Sequence, residues 1–390
     1  MKRTLKYLAL AWALGTAWSA SAEAPIKIGL VAPFSGNYAI FGEGYDRGIQ
    51  VWYEMYGEPA VGTRKIEIKK IDERCDVNTG LAAYRREASD VVAVLGPACS
   101  GVVRALTPLA TAEKKPLLFF GHGAVLTLGG AKNGYLFRMT QPDELNLRIF
   151  GEFIIKKWKA EGKTKIAAIH DTTVTFSKSG QVLKKAAADN GVELVAVETF
   201  DLGTKDFTGQ LLSVKRSGAQ AVVVVTYAAD QGRLMRQASE QNLGIPMAGG
   251  VDSPYLASIE KDLVGGKVDI LEGMYFYSDY IQGAKETEVA KFDAAFRKKF
   301  NMPPLDINYE GWLGLSLMVK ALQAPGAAEG GDKLRASLQD IRLDLGGRIV
   351  SFLENGDQAT LVTYIGQINK GNPELIELIK TERNSYPLAQ

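Results

Sequence analysis

Residues 65–120 read KIEIKKIDERCDVNTGLAAYRREASDVVAVLGPACSGVVRALTPLATAEKKPLLFF, and this stretch decides the fold. Three runs rich in Ile, Val, Leu and Phe (Lys65–Asp72, Val91–Leu95 and Pro116–Phe120) alternate with two amphipathic segments, Thr79–Ser89 and Gly101–Glu113. Strand alternating with helix is the signature of a parallel sheet, because each strand must be followed by a crossover that returns the chain to the same edge. Upstream, Ile26–Val31 reads as a further strand and Gly44–Tyr56 as its helix. Downstream the order recurs in strands Lys165–His170, Glu193–Thr199, Ala221–Thr226 and Pro246–Gly249. Matching positions sit about 130 residues apart, as with Asp72 and Asp201 or Pro116 and Pro246. The spacing predicts an α/β fold of two tandem sheets, each with helices on both faces through right-handed crossovers.

The N-terminus reads as an export leader. Lys2, Arg3 and Lys6 precede an uncharged apolar run, Tyr7–Ala17, and Ala20-Ser21-Ala22 supplies the small-x-small cleavage pattern. That run is shorter than the roughly 20 residues a membrane span needs. Residues 1–22 are therefore expected to be a signal peptide, with the mature chain starting near Glu23. Both cysteines lie far downstream of the cleavage site, so a lipid-anchored precursor is not expected and a periplasmic location is. About 365 residues remain, too many for one hydrophobic core and suited to two domains. Apolar content of 46% and charged content of 23% are ordinary globular values. Losing Lys2, Arg3 and Lys6 takes the formal charge from +2 to −1, which gives no reason to expect nucleic acid or an anionic membrane as partner.

In an oxidising compartment the lone pair Cys75 and Cys99 is expected to form one disulfide, closing a loop of about 25 residues and stabilising by about 3 kcal/mol. Two free thiols or a metal-binding pair are the alternative. There is no CxxC, and the chain's two histidines are His122 and His170, so zinc-ligand spacing is absent and no metal or cofactor is expected.

Open α/β sheets bind ligands at the carboxyl ends of their strands. Those ends are residues 32–36, 96–101 and 121–124 in the first half, and 171–177, 227–230 and 249–254 in the second. They are rich in small residues, hydroxyls and rings, a mixture that lets backbone donors approach a ligand while rings stack on it. Ser100 falls where a helix should start. Its hydroxyl either caps that helix or, with the nearby free N–H groups, holds a carboxylate.

Taken in order, these segments resemble the type I periplasmic binding proteins of ABC transporters, in the leucine/isoleucine/valine-binding group. Ile26-Lys27-Ile28-Gly29-Leu30, Phe34-Ser35-Gly36, Phe41-Gly42 and Gly48 are similar to that family's first strand, loop and helix. Asp72-Glu73-Arg74-Cys75-Asp76 and Gly96-Pro97-Ala98-Cys99-Ser100 are similar to its paired disulfide segments. Lys205-Asp206-Phe207, Leu234–Ala238 and Gly311–Leu317 look like its later helices. The resemblance implies two tandem Rossmann-like lobes joined by a three-strand hinge. Lobe one would hold 25–142 with 272–360, and lobe two 143–271 with 361–390. Ligand contacts to both lobes would favour the closed form, which membrane permease subunits would recognise. A monomer is expected.

The resemblance also implies a ligand site. Ser100 looks like the serine that receives a ligand carboxylate, Phe41 like an aromatic over the ligand, with Tyr38 beside it. Tyr227 and Phe176 fall at or near second-lobe aromatic positions, and Asp252 resembles the acid that pairs with an α-ammonium. The alternatives are core positions for Phe41 and Phe176, a strand cap for Tyr227 and a turn residue for Asp252. At the end of the fourth strand amino-acid binders of the family carry a Thr or Ser, whereas this chain has Gly121-His122-Gly123-Ala124, so His122 and Ala124 enter the expected site. Losing one charge-assisted hydrogen bond costs about 1.5–3 kcal/mol. A small organic acid is therefore expected ahead of a hydrophobic or branched-chain amino acid. The alternative role is a sensing protein for an aromatic carboxylate or amide that signals rather than delivers. A receptor ectodomain would need a membrane segment after the domain, and the sequence reads to Gln390 without one. No enzyme is expected: a G-x-S-x-G elbow and a P-loop are absent, and neither histidine has a recognisable nucleophile partner.

Overall fold

The computed structural model of the chain describes residues 23–123, 126, 134–258, 260–283 and 285–382. The expected leader, residues 1–22, and Ala124 lie outside them. The first half runs β1 (Ile26–Ala32), α1 (Ala39–Tyr56), β2 (Ala60–Val61), β3 (Arg64–Asp72), α2 (Val77–Glu87), β4 (Ala93–Leu95), α3 (Ser100–Ala112), β5 (Leu117–Phe119) and β6 (Leu136–Arg138). Its six strands pair in the order β2-β3-β1-β4-β5-β6, parallel except for the β2–β3 hairpin.

The second half runs α4 (Asp143–Ala160), β7 (Lys165–Asp171), α5 (Ser179–Asp189), β8 (Glu193–Phe200), α6 (Thr208–Arg216), β9 (Ala221–Val225), α7 (Ala228–Glu240), β10 (Met247–Gly249), α8 (Ser253–Ser258) and β11 (Tyr275–Ser278). The chain then gives α9 (Thr287–Phe300), α10 (Asp306–Leu322), α11 (Gly331–Gln339), the hairpin β12 (Leu343–Asp344) and β13 (Ile349–Val350), and two long strands, β14 (Thr360–Asn369) and β15 (Asn372–Glu382). The second sheet is ordered β15-β14-β11-β10-β9-β7-β8, with β14 and β15 antiparallel to the rest of their neighbours. The two lobes expected from the alternating pattern are present. One boundary moves: the return to lobe one, expected at residue 272, comes after Ser278, because β11 is paired with β10 and β14 in the second sheet.

Each sheet is buried on both faces, and the period of two in the strands sorts their side chains between two cores. Ile28 and Leu30 of β1 pack with Tyr45 and Ile49 of α1 and Leu315 of α10, whereas Val31, Val94 and Phe119 pack with Val102 and Leu106 of α3 on the other face. In lobe two, Ala167, Ile169 and Val224 face one way, and Ile166, Val223 and Val225 face α4 and α5. Full burial of each Val, Leu or Ile contributes roughly 1.5–3 kcal/mol, so a strand slipped by one residue would exchange the two sets.

Helix α1 starts at Ala39, five residues before the sequence predicts. Its glycines are contact points. A Cβ at Gly48 would lie 1.9 Å from the Asn308 carbonyl oxygen, and one at Gly311 would lie 2.2 Å from that of Tyr45, so α1 and α10 pack backbone to backbone.

The chain passes between the lobes three times, and the three passes are bonded to one another. Asp279, after β11, accepts from the Gln141 amide (2.7 Å) and the Asn146 side chain (2.7 Å) of the first pass. Gln358, in the third, donates to the Met139 carbonyl (2.6 Å), and buried Arg138 bonds Asp357 at 2.9 Å. Among the described residues no helix is long and apolar enough to cross a membrane.

Candidate functional site

Loops after β4, β5, β7 and β9 meet at one place. Ser100 is the first residue of α3 and its hydroxyl does not cap that helix. It accepts from the Gly123 amide (3.0 Å) and from the Thr175 hydroxyl of lobe two (3.0 Å), and Thr175 in turn lies 2.9 Å from the Tyr227 hydroxyl. A chain of three hydroxyls therefore crosses from one lobe to the other. Gly123 permits it, since a Cβ there would sit 3.1 Å from the Ser100 oxygen. The helix-start alternative for Ser100 is thus displaced; buried Glu73 instead takes the Ala98 and Cys99 amides. The expected Cys75–Cys99 disulfide is formed and holds these two segments together.

Next to this chain lies a narrow pocket of about 20 Å³, room for about one water with the lobes this close. Phe41, His122, Phe176, Tyr227 and Asp252 of the expected site line it, together with Thr175 and Tyr255. The rings bridge the lobes edge to face: Phe41 meets Tyr227 at 6.2 Å and Tyr255 at 6.3 Å between centroids, and Phe176 meets Tyr227 at 5.2 Å. Tyr38 packs on Phe41 and Tyr227 from outside the lining. Ser100 also stands outside it, one hydrogen bond behind Thr175. Ala124 lies outside the described residues.

Among the described residues that line the space there is no Lys or Arg. Asp252 is buried and accepts from the Ala228 amide at 2.9 Å. Burial first, then the nearby Asp306 charge, holds its carboxyl well above the usual carboxylate range. His122 is pulled the other way, to about 3, by burial and by Arg138, so its ring is neutral. The site thus offers hydroxyls to a carboxylate, rings to an apolar body and an acid to a donor or cation. Among the described residues that line it there is no nucleophile–base pair.

Sequence reasoning missed Thr175, one position from Phe176, and Tyr255, which follows Pro254 at the next strand end. The available signal for Thr175 was a hydroxyl in a strand-end loop, a feature that many loops share.

A family described as "Periplasmic binding protein" matches residues 25–373. The chain belongs to that family. Members of the periplasmic binding proteins capture substrates and are not enzymes, as the sequence leads one to expect. A "Leu/Ile/Val-binding protein homolog 3" of Brucella melitensis is 23% identical over 363 residues, covering 89% of this chain and 92% of that protein. The crystal structure of a leucine binding protein, LivK, from Thermotoga maritima has a TM-score of 0.79 at 20% identity, covering 93% of this chain and all (100%) of the other. A solute binding protein of an ABC transporter from R. palustris, in complex with benzoate, has a TM-score of 0.78 at 19% identity, covering 91% and 96%. Both structural likenesses carry the periplasmic-binding-protein fold.

Proposed function

We propose that this chain is the periplasmic solute-binding component of an ABC importer, delivered by a leader at residues 1–22 and acting as a monomer. Its cargo is a small carboxylate with an apolar body, either a small organic acid or a hydrophobic or branched-chain amino acid. The observation that carries this reading is the hydroxyl chain Ser100–Thr175–Tyr227, which spans both lobes beside a narrow, ring-lined pocket. Lobe one comprises 25–142 and 279–360, and lobe two comprises 143–278 and the strands from 361 onward. Closure brings Ser100 to Thr175 and Phe41 to Tyr227. A membrane permease receives the cargo from the closed form.

Thr175 alters the balance between cargo types. The hydroxyl lacking in Gly121-His122-Gly123 is provided by the facing lobe, so an amino-acid carboxylate has the donors it needs. Asp252 is available to an ammonium, whereas an organic acid has no use for an ionised Asp252. An aromatic carboxylate is a second reading, favoured by the rings of Phe41, Phe176, Tyr227 and Tyr255 around the space.

Native mass spectrometry of freshly purified protein is expected to show one retained small molecule per chain. Calorimetric titration with leucine, phenylalanine and benzoate then ranks the classes. Asp252→Asn is expected to weaken a zwitterion about tenfold to a hundredfold, the loss of one charge-assisted bond, and to leave benzoate nearly unchanged. A protein that retains nothing and binds none of the three would defeat the proposal.

A further inference from the structure

Below the solute space the fold gathers three potential ligands that sequence spacing does not show: His122 from the loop after β5, Asp279 from the second interlobe pass and Glu310 from α10. Their donor atoms all lie within 4.8 Å of one another. Nδ1 of His122 is 3.9 Å from an Asp279 oxygen. Both oxygens of Glu310 and Nδ1 of His122 are buried without a hydrogen-bond partner. Glu310 is 1% exposed and Asp279 5%. An unpartnered buried carboxyl group is costly, and a native fold keeps one only where a proton, a water or a cation completes it.

We propose that His122, Asp279 and Glu310 form a binding site for a divalent d-block cation of the zinc class. The donor set argues for this class. One imidazole nitrogen with two carboxylates is a zinc-type combination, whereas calcium and magnesium prefer oxygen alone. Two carboxylates balance a charge of +2, which removes the repulsion that otherwise disfavours ionising both. The surroundings fit as well. The Asp279 oxygens are held by the Gln141 amide and the Asn146 side chain. Such outer partners orient metal ligands. Zinc–nitrogen and zinc–oxygen bonds of about 2.0–2.1 Å set tetrahedral ligands roughly 3.3 Å apart, so binding would draw the three groups inward by about 1 Å. Because His122 also lines the solute space, a cation here would fix the floor of that space and tie the first two interlobe passes to lobe one.

The chain is well suited to a clean test, since it has two histidines and both cysteines are in the disulfide. The protein from Glu23, freed of any affinity tag and dialysed against chelator, is titrated with Zn²⁺. One zinc per chain is expected after gel filtration, and zinc should raise Tm. The histidine ring NMR signals of His122 should shift while those of His170 stay, a readout that needs no variant. Glu310→Gln should weaken zinc binding by roughly tenfold or more and abolish the Tm increase. Substoichiometric zinc, a response at His170 instead of His122, or undiminished binding by Glu310→Gln would each overturn the proposal. Its failure would leave solute capture untouched, because solute binding is measured separately.

Discussion

Thr175→Val is the most informative single change. Valine keeps the shape of Thr175, which is buried to 4% exposure, and removes only its hydroxyl. That hydroxyl makes two contacts, to Ser100 at 3.0 Å and to Tyr227 at 2.9 Å, and the first exists only when the lobes meet. At about 0.5–1.5 kcal/mol net for the one bond that closure makes, affinity should fall about 2- to 13-fold. The Tyr227 bond lies within lobe two, so its loss should lower the stability of the solute-free protein slightly, by about 0.5–1.5 kcal/mol in urea unfolding, separately from the affinity change. The assay is calorimetric titration with the solute found by native mass spectrometry, alongside Ser100→Ala and the double variant. Because the two side chains share a bond, the double variant should lose less than the sum of the singles. Affinity within twofold of the wild type for Thr175→Val would refute the hydroxyl chain as a closure contact.

Three further outcomes follow from the packing and the charges. Replacing Cys75 and Cys99 by Ser opens a loop with a sequence separation of 24, and should lower stability by about 3 kcal/mol in urea unfolding. Gly48→Ala should destabilise despite alanine's better helix propensity, since its Cβ meets the Asn308 carbonyl at 1.9 Å; an unchanged Tm would refute the close α1–α10 contact. Burial pushes the Glu73 carboxyl up to about 8 from an ordinary 4.5, so the folded form holds a proton that the unfolded chain releases. Its contribution is complete below pH 4.5 and is lost as pH rises through 8. Glu73→Gln should flatten that alkaline decline in Tm, and an unaltered decline would show that other groups cause it.

The fold was legible because a two-residue period and a helical period alternate cleanly in residues 65–120 and again after residue 165. Strand limits such as Lys65–Asp72 and Glu193–Thr199 agree with β3 and β8 to within a residue. What escaped was set by distant partners. Nothing local in the sequence shows that Gly44 and Gly48 of α1 meet Ile307 and Asn308. β11 was assigned to the wrong lobe because no local feature of Tyr275–Ser278 tells which sheet it will join. In the site, Phe41, His122, Phe176, Tyr227 and Asp252 come together around one space, and Ser100 and Tyr38 stand just behind it. Thr175 became visible only once lobe two faced Ser100. Asp279 and Glu310 were unreadable as partners of His122, because only the hinge brings three remote segments together.

The central claim is that two lobes shut on a captured solute, and small-angle X-ray scattering of the purified protein tests it most directly. With bound solute first removed by partial unfolding and refolding, the radius of gyration should fall when that solute is restored at saturation, and the saturated profile should match the closed arrangement described above. Identical profiles with and without a solute that calorimetry shows to be bound would contradict the account.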